Sequence, residues 1–312
     1  MVLNERIKGC LGQAQSVDQA GFRQSFSCDD HLFAVTLLCE RCAEWGKELW
    51  LVAVDFEKAF DSIEHGAIWR ALRSQGVPEQ VTRVLQKIYA GQGATVGVEK
   101  VSRRFEICRG SRQGDPISPP LFNAVLEEVF RKLKDKWQRE GKGYELEDEA
   151  TLTNLRFADD VLLVGKSLKE ATAMLQDLKE EASKVGLKLH TDSDVKKGKT
   201  KILRNKWAKQ EDKGAKEANL QGQAVQILDY SEGTEYLGKY LCMEEMHDQE
   251  LQHRIRKAWK KFWAKQEELC SKDAPLTHRL KLFSVTVTPT ALYGCGAWTM
   301  TAERRRTFRT AE

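Results

Sequence analysis

Two adjacent carboxylates in Phe157-Ala158-Asp159-Asp160 are the residues of this chain best placed to do chemistry. They lie between two short runs, Thr151 to Arg156 and Val161 to Gly165, that are apolar or alternating and so predict a β-hairpin with the acids at its tip. Neighbouring carboxylates repel, and each raises the pKa of the other. The pair makes sense when a cation lies between its members, and hard divalent ions take carboxylate oxygens. A third acid, Asp55, ends the apolar run Leu49 to Val54. Two acids on a hairpin plus one on a neighbouring strand are what two-metal phosphoryl transfer requires. Taken alone, the pair also fits an ordinary Asp-rich turn; the motifs that accompany it argue against that reading.

Holding these acids is the task of the surrounding elements. Residues His31 to Trp45 read as an amphipathic helix leading into the strand of Asp55, with further helices near Ile68 to Ser74 and from Pro78 to Tyr89. Strands are expected around Ala94 to Glu99 and Arg103 to Cys108. A Gly/Ser/Pro-rich loop, Gly110 to Pro120, opens a helix that runs to about Trp137, and Arg139 to Glu149 is expected to be a loop. A helix near Leu168 to Val185 stops at Gly186, and Leu187 to Leu189 starts a strand. The polar segments Asp192 to Lys201 and Lys206 to Glu217 read as surface loops or a link, with a soft domain boundary near Lys206 to Gly222. Beyond Leu220, short strands lead into a basic helix, His253 to Leu269. There Trp259, Phe262 and Trp263 are expected to pack inward, and Arg254, Lys257, Lys261 and Lys265 to project outward. Strands with helices to one side, followed by helices, predict an α+β sheet domain and then a helical one.

At 312 residues, 41% hydrophobic and 31% charged, the composition suits a soluble globular chain of one or two domains. No apolar run approaches the roughly 20 residues of a bilayer span, and the first residues lack the apolar core of a signal peptide. An intracellular protein with no membrane partner is expected. Cys39-x-x-Cys42 has ligand-like spacing, but no second pair answers it, so both read as reduced core thiols. From Leu251 onward there are 13 Lys+Arg against 5 Asp+Glu, a net of +8, which leaves −4 of the total +4 for the rest. An acidic centre with a basic C-terminal lobe suits a catalyst that grips a phosphate backbone.

The decisive pattern is an ordered series: Val54-Asp55-Phe56-Glu57-Lys58-Ala59-Phe60-Asp61, then Gly110-Ser111-Arg112-Gln113-Gly114-Asp115-Pro116, the Phe-Ala-Asp-Asp hairpin, Gly186-Leu187-Lys188-Leu189, Lys199-Thr200-Lys201 and Tyr236-Leu237-Gly238. With Gln19-Ala20-Gly21-Phe22-Arg23 before it and Leu292-Tyr293-Gly294 and Trp298 after it, the series resembles the reverse transcriptases of non-LTR (LINE-type) retrotransposons over nearly the whole chain. The resemblance implies a right-hand polymerase of α+β class. Its palm is an antiparallel sheet with helices on one face, and a helical thumb follows. The division it implies is a partial fingers segment over 1–48, a palm with interleaved fingers elements over 49–210, and the primer-grip region and thumb over 211–312.

It also implies roles. Asp55, Asp159 and Asp160, with the backbone carbonyl of Phe56, would hold two Mg2+ ions, for which Mn2+ substitutes. One ion acidifies the primer 3′-hydroxyl and the other neutralises the triphosphate. Glu57 and Asp61 are rivals to Asp55 by position, and the match to the family favours Asp55. Phe60 resembles the sugar gate that rejects a 2′-hydroxyl, with core packing as its alternative. Arg112, Gln113 and Gly114 match the loop that contacts nucleotide and template, and the small Ala158 admits the primer end. Lys199 is a candidate general acid for pyrophosphate, and an exposed loop lysine is its alternative. Tyr236, Leu237 and Gly238 resemble the primer grip; Arg254, Lys257, Lys261 and Lys265 would track duplex phosphates. The implied partners are an RNA template, a DNA primer and dNTPs, in nucleus or cytoplasm.

The match departs from the family in three places. The chain begins too late for most of the upstream fingers and shows no endonuclease ligand set, so another polypeptide would supply fingers or endonuclease. It stops at Glu312, within the expected thumb. His190 stands where the family has Asn, and Asp192 to Gly198 is insertion-like and delays Lys199. The alternatives to an RNA-directed DNA polymerase are an inactive retroelement fragment that only binds nucleic acid and an RNA-dependent RNA polymerase.

Overall fold

The computed structural model describes residues 2–97, 102–112, 114–146, 150–192 and 194–311. In chain order the helices are α1 Val2–Ala14, α2 Cys28–Glu44, α3 Ala59–Ser62, α4 His65–Ser74, α5 Glu79–Ala90, α6 Ser118–Arg139, α7 Leu168–Ser183, α8 Met246–Trp263, α9 Gln266–Cys270, α10 Leu276–Ala291 and α11 Ala302–Ala311. The strands are β1 Trp50–Val54, β2 Gly93–Ala94, β3 Phe105–Glu106, β4 Tyr144–Glu145, β5 Thr151–Leu152, β6 Asn154–Phe157, β7 Asp160–Gly165, β8 Lys201–Arg204, β9 Glu217–Leu220, β10 Gln223–Leu228, β11 Gly233–Tyr236 and β12 Lys239–Cys242. The class is α+β, as expected.

These elements form two units that exchange chain segments. One comprises Met1–Ser27, Leu49–Ile202 and Ala208–Ile227; the other comprises Cys28–Glu48, Leu203–Trp207 and Leu228–Glu312. A unit boundary coincides with the expected division after 48, but residues 1–27 group with 49–202, and in place of a division after 210 the changes of unit come after Ile202, Trp207 and Ile227. α2 groups with the C-terminal segment because its buried face is used there. Lys239 Nζ donates to Thr36 Oγ1 at 2.6 Å, and Cys39 Sγ lies 3.7 Å from Met243 Sδ. Cys39 and Cys42 are buried and in no disulfide, as core thiols should be, and burial pushes the Cys39 thiol up to about 12.

In the first unit β1 is an unbroken apolar run, and all five of its residues are buried. It sits inside a six-stranded sheet of order β6-β7-β1-β8-β10-β9. β7 pairs antiparallel with β1, from Trp50↔Gly165 to Val54↔Val161, and with β6, from Asn154↔Leu163 to Phe157↔Asp160. Alternate residues of β1 and β7 (Trp50, Val52, Val54, Val161, Leu163) enter one core with Leu121, Phe122 and Phe130 of α6 and Met174, Leu175 and Leu178 of α7. α7 begins at Ser167, whose side chain accepts from Glu170 N as an N-cap should.

Several local expectations change. The stretch expected as a loop over Arg139 to Glu149 contains β4, which pairs with β5. The run Thr151 to Arg156 is split into β5 and β6. The two strands expected around 94–99 and 103–108 contract to the Gly93–Ala94 and Phe105–Glu106 pair, with residues 98–101 outside the described residues. Leu187 to Leu189 contributes a single bridge, Phe56↔Leu189.

Candidate active site

The three acids meet where β1 and β7 end together. Val54 pairs with Val161, so Asp55, one residue after Val54, stands beside Asp160, one residue before Val161, with Asp159 preceding it in the loop. Asp160 is exposed at its tip but crowded by protein on its inner side. That crowding, then the charges of Asp159 and Asp55, raises its pKa to about 6. Asp159 is raised as well, by burial first and also by Asp55. Among the described residues no group of three His, Cys, Asp or Glu side chains is arranged to hold a metal ion. Instead the carboxylate of Asp55 faces Lys199 Nζ at 3.7 Å. The rivals Glu57 and Asp61 both lie past the end of β1 and are exposed, with Lys58 at φ +46 between them.

Asp55 is fixed through its backbone. His190 N donates to Asp55 O at 2.7 Å, and Thr200 Oγ1 lies 3.3 Å from both Asp55 N and Asp55 O. Thr200 N donates to His190 O at 3.2 Å. The insertion-like residues after His190 thus form a side loop whose ends are closed by that bond, and Lys199 is returned to the acid corner despite its delay in sequence.

The hairpin tip is fixed by the segment before α2. Gln19 bridges to Arg156 in parallel, Arg156 N donates to Asp18 O at 2.7 Å, and Ala20 N donates to Arg156 O at 2.9 Å. Gln19 Oε1 accepts from Gly21 N at 2.8 Å and from Ala158 N at 3.0 Å. A Cβ on Gly21 would lie 2.4 Å from Ala158 N, so only glycine permits the approach. Beneath the tip the buried Arg156 guanidinium donates to Glu127 at 2.9 Å and to Ser16 Oγ at 2.6 Å, and lies 4.5 Å from the Phe130 ring centroid. Sequence reasoning matched Gln19 to Arg23 as a motif but found none of these supports. An arginine inside a strand followed by two acids was the available signal for a buried counter-charge.

Phe60 is half-buried and stacks on Phe122, with centroids 4.6 Å apart and planes at 26°. The Gly110 loop docks beside it: Gly110 N donates to Ile63 O and Ser111 N to Phe60 O, both at 2.8 Å. Gly110 has φ +83, and a Cβ there would strike the Asp61 carbonyl oxygen at 2.7 Å. Arg112 and Gly114 are exposed, and Ser118 Oγ donates to Arg112 O at 2.5 Å. Gln113 lies outside the described residues.

In the second unit Tyr236 and Lys239 close a two-residue hairpin, with Leu237 at φ +47 and Gly238 at φ +75. Tyr293 Oη donates to Leu237 O at 2.8 Å. Arg254 differs most from expectation. It is not an outward phosphate contact but is 3% exposed, donating to Glu250 Oε1 at 2.6 Å and to Gly238 O, with Tyr293 5.0 Å from its guanidinium. Glu250 accepts in turn from Tyr240 N at 2.6 Å. The helix is rotated relative to the reading by charge: Trp259 and Trp263, expected inside, are 41% and 57% exposed. Lys257 pairs with Glu235 at 3.0 Å, Lys265 with Glu268 at 3.0 Å, and Lys261 is exposed.

Comparison with known proteins agrees with this architecture. Residues 1–240 match the family described as reverse transcriptase (RNA-dependent DNA polymerase). The chain is 31% identical over 175 residues to the retrovirus-related Pol polyprotein of the type-2 retrotransposable element R2DM of Drosophila melanogaster, covering 56% of this chain and 16% of that protein. It is 33% identical over 186 residues to the corresponding R2 polyprotein of Nasonia vitripennis, covering 58% of this chain and 18% of that one. The chain thus spans less than a fifth of the length of these relatives. A telomerase of Candida tropicalis, solved with a fragment of telomeric RNA, superposes with a TM-score of 0.55 at 10% identity, over 93% of this chain and 45% of that one. The Candida albicans telomerase gives 0.52 at 10% identity, over 99% and 55%. Those likenesses speak for the fold. With three quarters of its residues matched by one family, the chain belongs to the reverse transcriptases, and its polyprotein relatives mark it as the non-LTR retrotransposon type.

Proposed function

We propose that this chain carries the catalytic centre of an RNA-directed DNA polymerase that extends a DNA primer on an RNA template with dNTPs. The observation that carries the reading is the pairing of β1 with β7, which sets Asp55 beside Asp160 and the adjoining Asp159. The donor set fits divalent cations: hard oxygens, with Asp159 and Asp160 raised first by burial and then by neighbouring carboxylate charge, which a cation would offset. Asp55, the Phe56 carbonyl, Asp159 and Asp160 would hold two Mg2+ ions, or Mn2+ in their place, which acidify the 3′-hydroxyl and neutralise the triphosphate.

The remaining roles belong to the protein's own groups. Phe60, braced against Phe122, offers a flat apolar face beneath the sugar and leaves a 2′-hydroxyl unpaired. Lys199, exposed and 3.7 Å from Asp55, would be the general acid for departing pyrophosphate; its closeness to Asp55 supports that role. Arg112 and Gly114 present an open loop to nucleotide and template, and Ala158 leaves room for the primer end. The Tyr236-Leu237-Gly238 hairpin, braced by Arg254 and Tyr293, serves as the primer grip, with Lys257, Lys261 and Lys265 toward duplex phosphates. No described helix is long and apolar enough to cross a membrane, and we place the reaction in nucleus or cytoplasm, where RNA and dNTPs meet.

Primer extension on an RNA template with Mg2+ or Mn2+, beside an Asp159→Ala control, tests the proposal. Extension by the parent and its loss in the control support it. Equal inactivity of two folded, duplex-binding proteins would make the chain a binding remnant. Incorporation of ribonucleotides as readily as dNTPs would point to RNA synthesis.

A further inference from the structure

The loop that carries Asp159 has an unexpected occupant. Ala158, first residue of a two-residue hairpin loop, sits at φ +56. Glycine is favoured there, because a Cβ is strained in this region. Such a conformation persists when the surroundings impose it, and Gln19 is the group that does so. Its side chain is 0% exposed, and its Oε1 receives the Ala158 and Gly21 amides together. Both partners are N–H donors, so the oxygen of the amide must face them. Gln19 Nε2 is buried without a partner among the described residues. Burying an unpaired donor is unfavourable, so the amide is present for what its oxygen does. From the other side, Asn123 Nδ2 on α6 donates to Gly21 O at 2.7 Å, anchoring the strip that bears Gln19 to the core.

We propose that Gln19 is a positioning residue for the polymerase reaction: by holding the Ala158 amide it imposes the left-handed turn that aims Asp159 and Asp160 toward Asp55. Gln19 touches no reactant and acts through the loop. The inference rests on the polymerase reading of the acid pair and adds to it a residue remote in sequence. It also gives a physical role to the glycine of the Gln-Ala-Gly segment, since the clamp closes only where Gly21 lets the two backbones meet.

The test uses the full chain with Gln19→Met, which keeps side-chain length but removes the acceptor, with Ala158→Gly, and with the double variant. Three quantities are read: kcat and KM for dNTP in primer extension, Mn2+ affinity by electron paramagnetic resonance, and exchange of the Ala158 amide. Gln19→Met should lower kcat about 10- to 100-fold, the range for groups that orient metal ligands, with KM changed less than about twofold. Mn2+ affinity should fall by a similar factor, and the Ala158 amide should exchange faster. Adding Ala158→Gly should restore most of kcat and Mn2+ affinity, because glycine adopts the turn unaided. A merely structural Gln19 predicts instead a common loss of kcat, KM and melting temperature that Ala158→Gly does not repair, and that result overturns the inference. Wild-type kcat and Mn2+ affinity in Gln19→Met overturn it too. If Gln19→Met alone fails to fold, the double variant is compared with Ala158→Gly: equal Mn2+ affinity supports the inference and a remaining deficit refutes it. If the parent extends no primer, the polymerase reading fails separately, and the Mn2+ arm still decides whether Gln19 sets the acid pair.

Discussion

Replacing Asp160 by asparagine should stabilise the metal-free chain above pH 6 while abolishing primer extension. The Asp160 pKa rises from the ordinary 3.8 to about 6 through crowding and the charges of Asp159 and Asp55. A carboxyl group raised in this way keeps its proton longer in the folded state than in the unfolded one. Below about pH 3.8 both states are protonated and nothing is lost. Between 3.8 and about 6 the unfolded chain ionises first, so stability falls, and above 6 the deficit is complete. A rise of about two pH units at about 1.4 kcal/mol each gives about 3 kcal/mol as an upper bound. Asp160 is exposed, however, and solvent screening reduces this to about 1 kcal/mol. Urea unfolding in EDTA at pH 4 and pH 8 measures it: Asp160→Asn should gain about 1 kcal/mol at pH 8 and almost nothing at pH 4. Millimolar Mg2+ should stabilise the parent and not the variant. A gain of equal size at both pH values would trace the effect to packing and refute the electrostatic argument, as would no gain at pH 8.

Arg156→Met takes from Glu127, whose side chain is 3% exposed, its 2.9 Å partner and leaves it only the 3.6 Å ion pair with the more exposed Arg131, and should cost about 3 kcal/mol in chemical denaturation, the low end for a broken buried pair. Adding Glu127→Leu should recover most of that loss, and additive losses would show that the pair is not coupled. Gly110→Ala combines φ +83 with a Cβ 2.7 Å from the Asp61 carbonyl; a loss of about 2 kcal/mol or more is expected, and an unchanged melting curve would contradict the tight approach. Tyr293→Phe removes the donor to Leu237 O, about 1 kcal/mol. In primer extension it should raise KM for primer–template more than it lowers kcat, and an effect on kcat alone would exclude bracing of the hairpin.

The acid corner was legible because its causes are local. An apolar run ending in Asp55 and a hairpin ending in two acids carry their meaning within a dozen residues, and antiparallel pairing does the rest. On α8 charge is a poor sign of exposure. Arg254 goes inside because Glu250, one turn earlier, and the Gly238 carbonyl neutralise and bond it, while the two tryptophans stay out. The hold of Gln19 on Ala158 joins residues 139 apart, and periodicity says nothing about such a contact. Spacing alone also says little about where Lys199 lies. Distance along the chain increased by the inserted residues, but the bond between Thr200 and His190 keeps the distance in space short.

The exchange of segments between the two units has a consequence for how the protein is made. During synthesis α2 emerges early, with Leu32, Val35 and Leu38 on its apolar face, but the β11–β12 hairpin and α8 emerge only after Leu228. At the usual rate of translation that interval is on the order of ten seconds or more. For that time the first unit can close around β1 and β7 while a greasy helix tethered to its middle has nothing to pack against. Nascent chains should therefore engage a chaperone through this stretch, and release should coincide with completion of the C-terminal third. For the same reason no single cut liberates either unit intact.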